Sequence, residues 1–127
     1  MSIIDHNSAP EIPWRPNYRV WTVAGIDETT DCTLHYSKIE PGAGAPLHTH
    51  EVDELITILD GQVEGRIGKD IQTVSSNHTM VIPKGIPHSF TASGHTTVEA
   101  LAFFPCSDGM QNTHYLEGQP PEAYRTK

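Results

Sequence analysis

Four residues of this sequence have side chains whose types and spacing suit a metal ion: His48, His50, Glu54 and His88. In a β-strand side chains alternate between faces, so His48 and His50 project from one face with their imidazoles close enough to share an ion, while Thr49 points away. An H-x-H pair also occurs as two solvent-facing histidines on a strand, so the pair gains meaning only from its company. Glu54 follows across the short link Glu51-Val52-Asp53, from which a neighbouring strand can return its carboxylate to the same centre, with Ile56 and Ile58 on its face. His88 follows Pro83-Lys84-Gly85-Ile86-Pro87, whose prolines and glycine can set a turn that aims the first side chain of the next strand. Three imidazoles and one carboxylate around a divalent ion leave one or two exchangeable positions in an octahedral shell. His35 and Tyr36 take adjacent, opposite-facing positions of the preceding strand, so one of them faces the interior. Either can supply a proton near a bound substrate, although a packed wall residue is the plainer role. Tyr36 and Glu54 are taken as the candidate catalytic groups.

The elements that must position these residues read as short strands. Between about 19 and 104 the chain is a succession of runs rich in Val, Ile, Thr, Tyr and Phe, broken by Gly, Pro, Asp and Asn. The runs cover 19–26, 32–39, 46–50, 53–59, 62–67, 79–83, 88–92 and 96–104. No stretch keeps a helical period of apolar positions, and turn residues separate the runs. Asp60-Gly61 is the strongest hairpin signal among them. Residues 1–18 interleave Pro10, Pro13 and Pro16 with Trp14 and Tyr18 and suit an extended arm. Residues 105–127 are polar and read as a tail.

Composition narrows the function further. A chain of 127 residues with a net charge of -8 forms one domain, and its charge repels phosphate backbones and anionic headgroups, so neither nucleic acid nor membrane is an expected partner. The chain has no apolar run long enough to span a bilayer and no secretory pattern at its start, so a cytoplasmic location is expected. Cys32 and Cys106 form no metal or disulfide pattern. There is no phosphate-binding loop, and no G-x-S-x-G elbow for a hydrolase nucleophile.

The ligand spacing resembles the cupin superfamily. Its first motif is a glycine, five residues, H-x-H, three residues, a glutamate, six residues and a glycine, and Gly42, His48, His50, Glu54 and Gly61 match each position. Its second motif is followed less completely. Pro83, Gly85 and His88 are in place, Asn77 stands for the first glycine, and Ala92 stands for the closing asparagine. Asn at residue 77 is a mild change, since Asn tolerates the left-handed conformation a turn requires. The resemblance covers about residues 30–104.

The resemblance implies an all-β fold: a cupin double-stranded β-helix, or jelly-roll, barrel over 19–104 with the arm and tail at its ends. Carried over position by position, it also implies one divalent metal ion (Fe, Mn, Ni or Zn) on His48, His50, Glu54 and His88. The set resembles that of cupin oxalate oxidases and decarboxylases, quercetin dioxygenases and acireductone dioxygenases. It differs from the three-histidine thiol and diketone dioxygenases. Cupin lyases acting on dimethylsulfoniopropionate have a tyrosine two residues after the glutamate, where this chain has Ile56. The expectation is an enzyme for a small oxygen-bearing organic molecule. Dioxygenase or oxidoreductase chemistry comes first and lyase or isomerase chemistry second, with a non-catalytic binding or sensor cupin as the alternative. The proline-rich arm with its aromatics suggests a homodimer in which the arm of one subunit lies on the barrel of the other, and resemblance to dimeric small cupins supports this, with a monomer whose arm folds back as the alternative.

Overall fold

The computed structural model of the chain describes residues 3–28 and 31–125. Among these residues eleven strands build two antiparallel sheets. One sheet runs in the order β1 (Glu11–Arg15), β2 (Tyr18–Ala24), β3 (Thr33–Ile39), β10 (Val98–Phe104), β5 (Glu54–Asp60) and β8 (His78–Ile82). The other runs β11 (His114–Tyr115), β4 (Gly44–Thr49), β9 (His88–Ala92), β6 (Gln62–Ile67) and β7 (Asp70–Ser75). Helix is confined to single 3-10 turns at His6–Ser8, Ile26–Glu28 and Glu122–Tyr124. Among the described residues no helix is long and apolar enough to cross a membrane.

The inward faces follow from alternation. Val20, Ile39, Ile56, Ile58, Val63, Met80, Ile82, Phe90 and Val98 interdigitate between the sheets, and most are almost completely buried. A second, smaller cluster of Ala9, Trp21, Val23 and Tyr36 lies on the outer face of β2 and β3. The N-terminal 3-10 turn covers it, held by Asp5, whose carboxylate accepts from the Asn7 N–H at 3.0 Å.

Two glycines decide how closely the sheets can close. Gly61 turns β5 into β6 at φ +83°, a conformation open to glycine at little cost. At Gly44 an added Cβ would lie 1.9 Å from the Phe90 carbonyl oxygen, so β4 and β9 can pair at this point only around a glycine. Asn77 adopts φ 65°, the left-handed turn expected where the motif has glycine.

The segments over 62–67 and 88–92 form strands at the expected boundaries, and the other runs shift by one or two residues. Three strands were not legible. β1 contains Pro13 but lies at the sheet edge, where a missing N–H breaks no inner ladder. β7 is also an edge strand and almost wholly exposed, so it lacks the apolar alternation that marks a half-buried strand. β11 is two residues long and has no periodicity to read. The proline-rich arm is therefore paired along its own β2, with Glu11 opposite Trp21 and Ile12 opposite Val20. The tail returns to β4, with Tyr115 opposite His48.

Candidate metal centre

The four candidate ligands come from three chain segments that lock to one another. His48 lies near the end of β4 and His50 just beyond it, while Glu54 and His88 are the first residues of β5 and β9. Antiparallel register sets His48 directly opposite His88. The loops that start β5 and β9 are joined by backbone: the Gly85 N–H donates to the His50 carbonyl at 2.8 Å, and the Lys84 N–H donates to the Asp53 carboxylate at 2.9 Å. The result is four ligand atoms within 4.8 Å of one another, on side chains that are all buried.

Hydrogen bonds on the far side of each ring assign its tautomer. His48 Nδ1 lies 2.7 Å from the Pro46 carbonyl and His88 Nδ1 lies 3.0 Å from the Ile86 carbonyl. A carbonyl only accepts, so each Nδ1 carries the proton. His50 Nδ1 lies 2.8 Å from Thr113 Oγ1, and that hydroxyl donates onward to the Met110 carbonyl at 2.7 Å, so it too accepts from the ring. All three Nε2 atoms therefore present lone pairs to the interior.

This arrangement tests the fit of a metal. Glu54 Oε1 lies 3.1 Å from His88 Nε2 and 3.2 Å from His50 Nε2, and the latter nitrogen is buried without a hydrogen bond. Lone pairs facing a carboxylate repel unless a second proton or a cation lies between them. Three imidazole nitrogens and one carboxylate oxygen, with outer partners that hold the rings, are a donor set for a divalent first-row ion. Burial, reinforced by the neighbouring His88, pushes the pKa of His48 down to about 3, which keeps the ring neutral and able to ligate. Burial alone would raise the Glu54 pKa, but hydrogen bonding and positive charge at His50 and His88 outweigh it and bring it down to about 2, an effect that needs a proton or, in its place, a cation at their Nε2 atoms.

The surrounding pocket decides between His35 and Tyr36. His35 faces it, packed edge-on against Trp14 and Phe104, with its pKa driven down to about 4 by burial. Tyr36 does not. It lies on the opposite face of β3, against Trp21 and His6, and its hydroxyl bonds the Glu99 carboxylate. The candidate role of Tyr36 as a proton donor is thus corrected: strand alternation turns it outward because its neighbour His35 turns in. Phe90 lines the pocket.

Residues outside the legible motifs complete the wall. Trp14 and Arg15 of β1, Tyr18 of β2, and Met110 and Tyr115 of the tail all line it, and Tyr115 stacks on His48 at 5.1 Å. Aromatic enrichment in the arm signalled Trp14 and Tyr18, while Arg15, Met110 and Tyr115 belong to no motif and had no signal. The space left is about 40 Å³, room for only a few non-hydrogen atoms. A wider groove of about 390 Å³ between β7 and β8 contains none of the four ligand candidates.

An antiparallel double-sheet barrel with three histidines and one glutamate converging inside one end is the cupin architecture. The chain belongs to the cupin domain family, whose model matches residues 35–104. Solved structures of the same fold include KdgF from Halomonas sp., at 22% identity and a TM-score of 0.74, covering 87% of this chain and 98% of that one. The polyketide cyclase RemF from Streptomyces resistomycificus matches at 19% identity and a TM-score of 0.77, covering 97% and 89%. Oxalate decarboxylase from Bacillus subtilis matches at 20% identity and a TM-score of 0.76, covering 89% of this chain but 31% of the longer protein. No curated protein matches the sequence.

Proposed function

We propose that this cupin is a metal-dependent enzyme for a small oxygen-bearing organic molecule, with His48, His50, Glu54 and His88 as the ligands of one divalent ion. The observation that carries the reading is the buried convergence of three Nε2 atoms and the Glu54 carboxylate, each ring held from behind by an acceptor at Nδ1. An ion bound there supplies Lewis-acid polarisation of a substrate oxygen.

The chain's own residues supply the proton handling. His35 is neutral and buried beside the cluster, so it can accept a proton. Tyr18 is held in its protonated form, because burial and the nearby Glu54 charge both push its pKa up, and it can donate one. Glu54 is the ligand whose carboxylate can also serve as a base. These groups favour lyase-, isomerase- or cyclase-type proton transfer over oxygen activation.

Homodimer formation and a cytoplasmic location belong to this proposal. Resemblance to dimeric small cupins supports the first. Elemental analysis of protein purified without added metal is expected to find close to one first-row ion per chain. Turnover of small hydroxy- and keto-compounds is expected to proceed equally with and without oxygen. Oxygen uptake coupled to turnover would move the reaction to the dioxygenase class, and ligand-induced stabilisation without product would make the protein a sensor. Absence of bound metal would overturn the reading. Light scattering of the 14.0 kDa chain checks the dimer.

A further inference from the structure

Arg15, the last residue of β1, places a guanidinium in the wall of the metal pocket. Its Nε and Nη2 are buried and have no hydrogen-bond partner, and its guanidinium carbon lies 5.4 Å from the centre of the Tyr115 ring. Tyr115 is the guanidinium's neighbour through its ring and a side-chain hydrogen bond, but the Nε and Nη2 donors stay unsatisfied, which is costly, and arginine cannot escape the cost by losing its proton. Among the described residues no carboxylate bonds these nitrogens. Glu54 faces His50 and His88, and Glu11, at the other end of β1, is taken by Arg19.

The Arg19–Glu11 pair shows what the free fork of Arg15 lacks. Arg19 donates from Nε to one Glu11 oxygen at 2.9 Å and from Nη2 to the other at 2.8 Å. The same two nitrogens of Arg15 stand unpaired in the pocket. Two parallel N–H groups on one edge of a guanidinium match the two oxygens of a carboxylate.

We propose that Arg15 binds the carboxylate of the substrate, so that the pocket takes a small organic acid carrying a second oxygen for the metal side. This rests on the reading of the pocket as a metal-dependent catalytic site. The anion is favoured electrostatically, because with a divalent ion in place the pocket holds more positive than negative charge. The narrow cavity restricts the acid to a few non-hydrogen atoms.

Calorimetric titration of glycolate, glycolamide and inorganic phosphate into metal-free and zinc-loaded protein tests the proposal. Glycolate is expected to bind the wild type at least tenfold more tightly than Arg15→Gln, with Arg15→Lys in between, and glycolamide is expected to bind weakly whatever occupies residue 15. Equal glycolate affinity in wild type and Arg15→Gln, at equal metal content, would overturn the inference while leaving the metal reading intact. Arg15-dependent binding to a protein that holds no metal would do the reverse. Phosphate binding that depends on Arg15, without glycolate binding, would also overturn the carboxylate assignment. If Arg15→Gln fails to fold, the Arg15 Nε–H resonance of the wild type, assigned with Arg15→Lys, provides the test. It is expected to shift on adding glycolate, and an unmoved resonance would count against the proposal.

Discussion

The two ends of the barrel interior are built by the same strands and behave as opposites. On β5, Glu54 shares an inward face with Ile56 and Ile58, and on β9, His88 shares one with Phe90 and Ala92. Alternation therefore points ligands and hydrocarbon the same way, and facing inward does not separate a site from a core. The difference lies in what stands behind each side chain. At the apolar end Ile58, Val63, Met80 and Val98 need only close packing. At the other end each imidazole needs an acceptor for its Nδ1, supplied by Pro46 of β4, Ile86 of the loop before β9 and Thr113 of the tail. Stability should reside at one end and metal affinity at the other.

The largest effect should come from His88→Ala. Loss of an outer partner already costs a metal site roughly 10–100-fold in affinity, so loss of a direct ligand should cost roughly a thousandfold. Metal content after desalting should fall to a trace while the circular dichroism spectrum stays that of the wild type. Retained stoichiometric metal would break the comparison. Ile58→Ala should give the mirror image: about 2–5 kcal/mol less stability to urea, because it empties volume in a closed core, with metal stoichiometry of the folded protein unchanged.

Acid should act at the polar end alone. The folded pKa of His35, about 4, lies below its ordinary value of 6.5, so the unfolded chain takes up the proton first. Its stability contribution is complete above about pH 6.5 and is lost as pH falls toward 4. At pH 5 the metal-free protein should have lost about 2 kcal/mol through this residue, relative to pH 7. His35→Gln should remove that part of the slope in paired denaturation curves, and an unchanged slope would show that His35 is not held neutral. His48 acts in the same direction, so some pH dependence should survive in the variant.

Thr113→Val sharpens the contrast on a smaller scale. It removes the acceptor for His50 Nδ1 without touching a ligand, and metal affinity should drop roughly tenfold, the lower end for an outer partner. Competition with a chromophoric chelator would measure it. Smallest of all, Tyr36→Phe should change stability by about 1 kcal/mol or less and leave metal content and turnover unchanged, since its hydroxyl bonds Glu99 on the outer face. A loss of turnover would return Tyr36 to the site.

How much of this was legible depends on whether the signal was local. His48, His50, Glu54 and His88 sit beside their own turn residues, and short loops leave little freedom in where the side chains arrive. The turn role of Asn77 could be read in advance for the same reason, and it adopts a positive φ. Tyr115 reaches the pocket through a pairing that spans much of the chain, β11 with β4, while Arg15 and Tyr18 sit at the turn of the β1–β2 hairpin, which β2 docks onto the distant strands through β3. Edge strands this short, one containing a proline and one two residues long, leave no periodic pattern.

By itself the sequence determined the all-β barrel, its cupin motifs and the four residues that converge, because alternation, turn chemistry and ligand spacing act over a few residues. Tertiary structure alone decided that His35 and not Tyr36 faces the cluster, because the strand's phase is set by which face packs between the sheets. It also decided that arm and tail close the pocket, with Thr113 behind His50 and the Nε and Nη2 of Arg15 unsatisfied in the wall. Such contacts join residues far apart in the chain, and only the assembled sheets bring them within reach of one another.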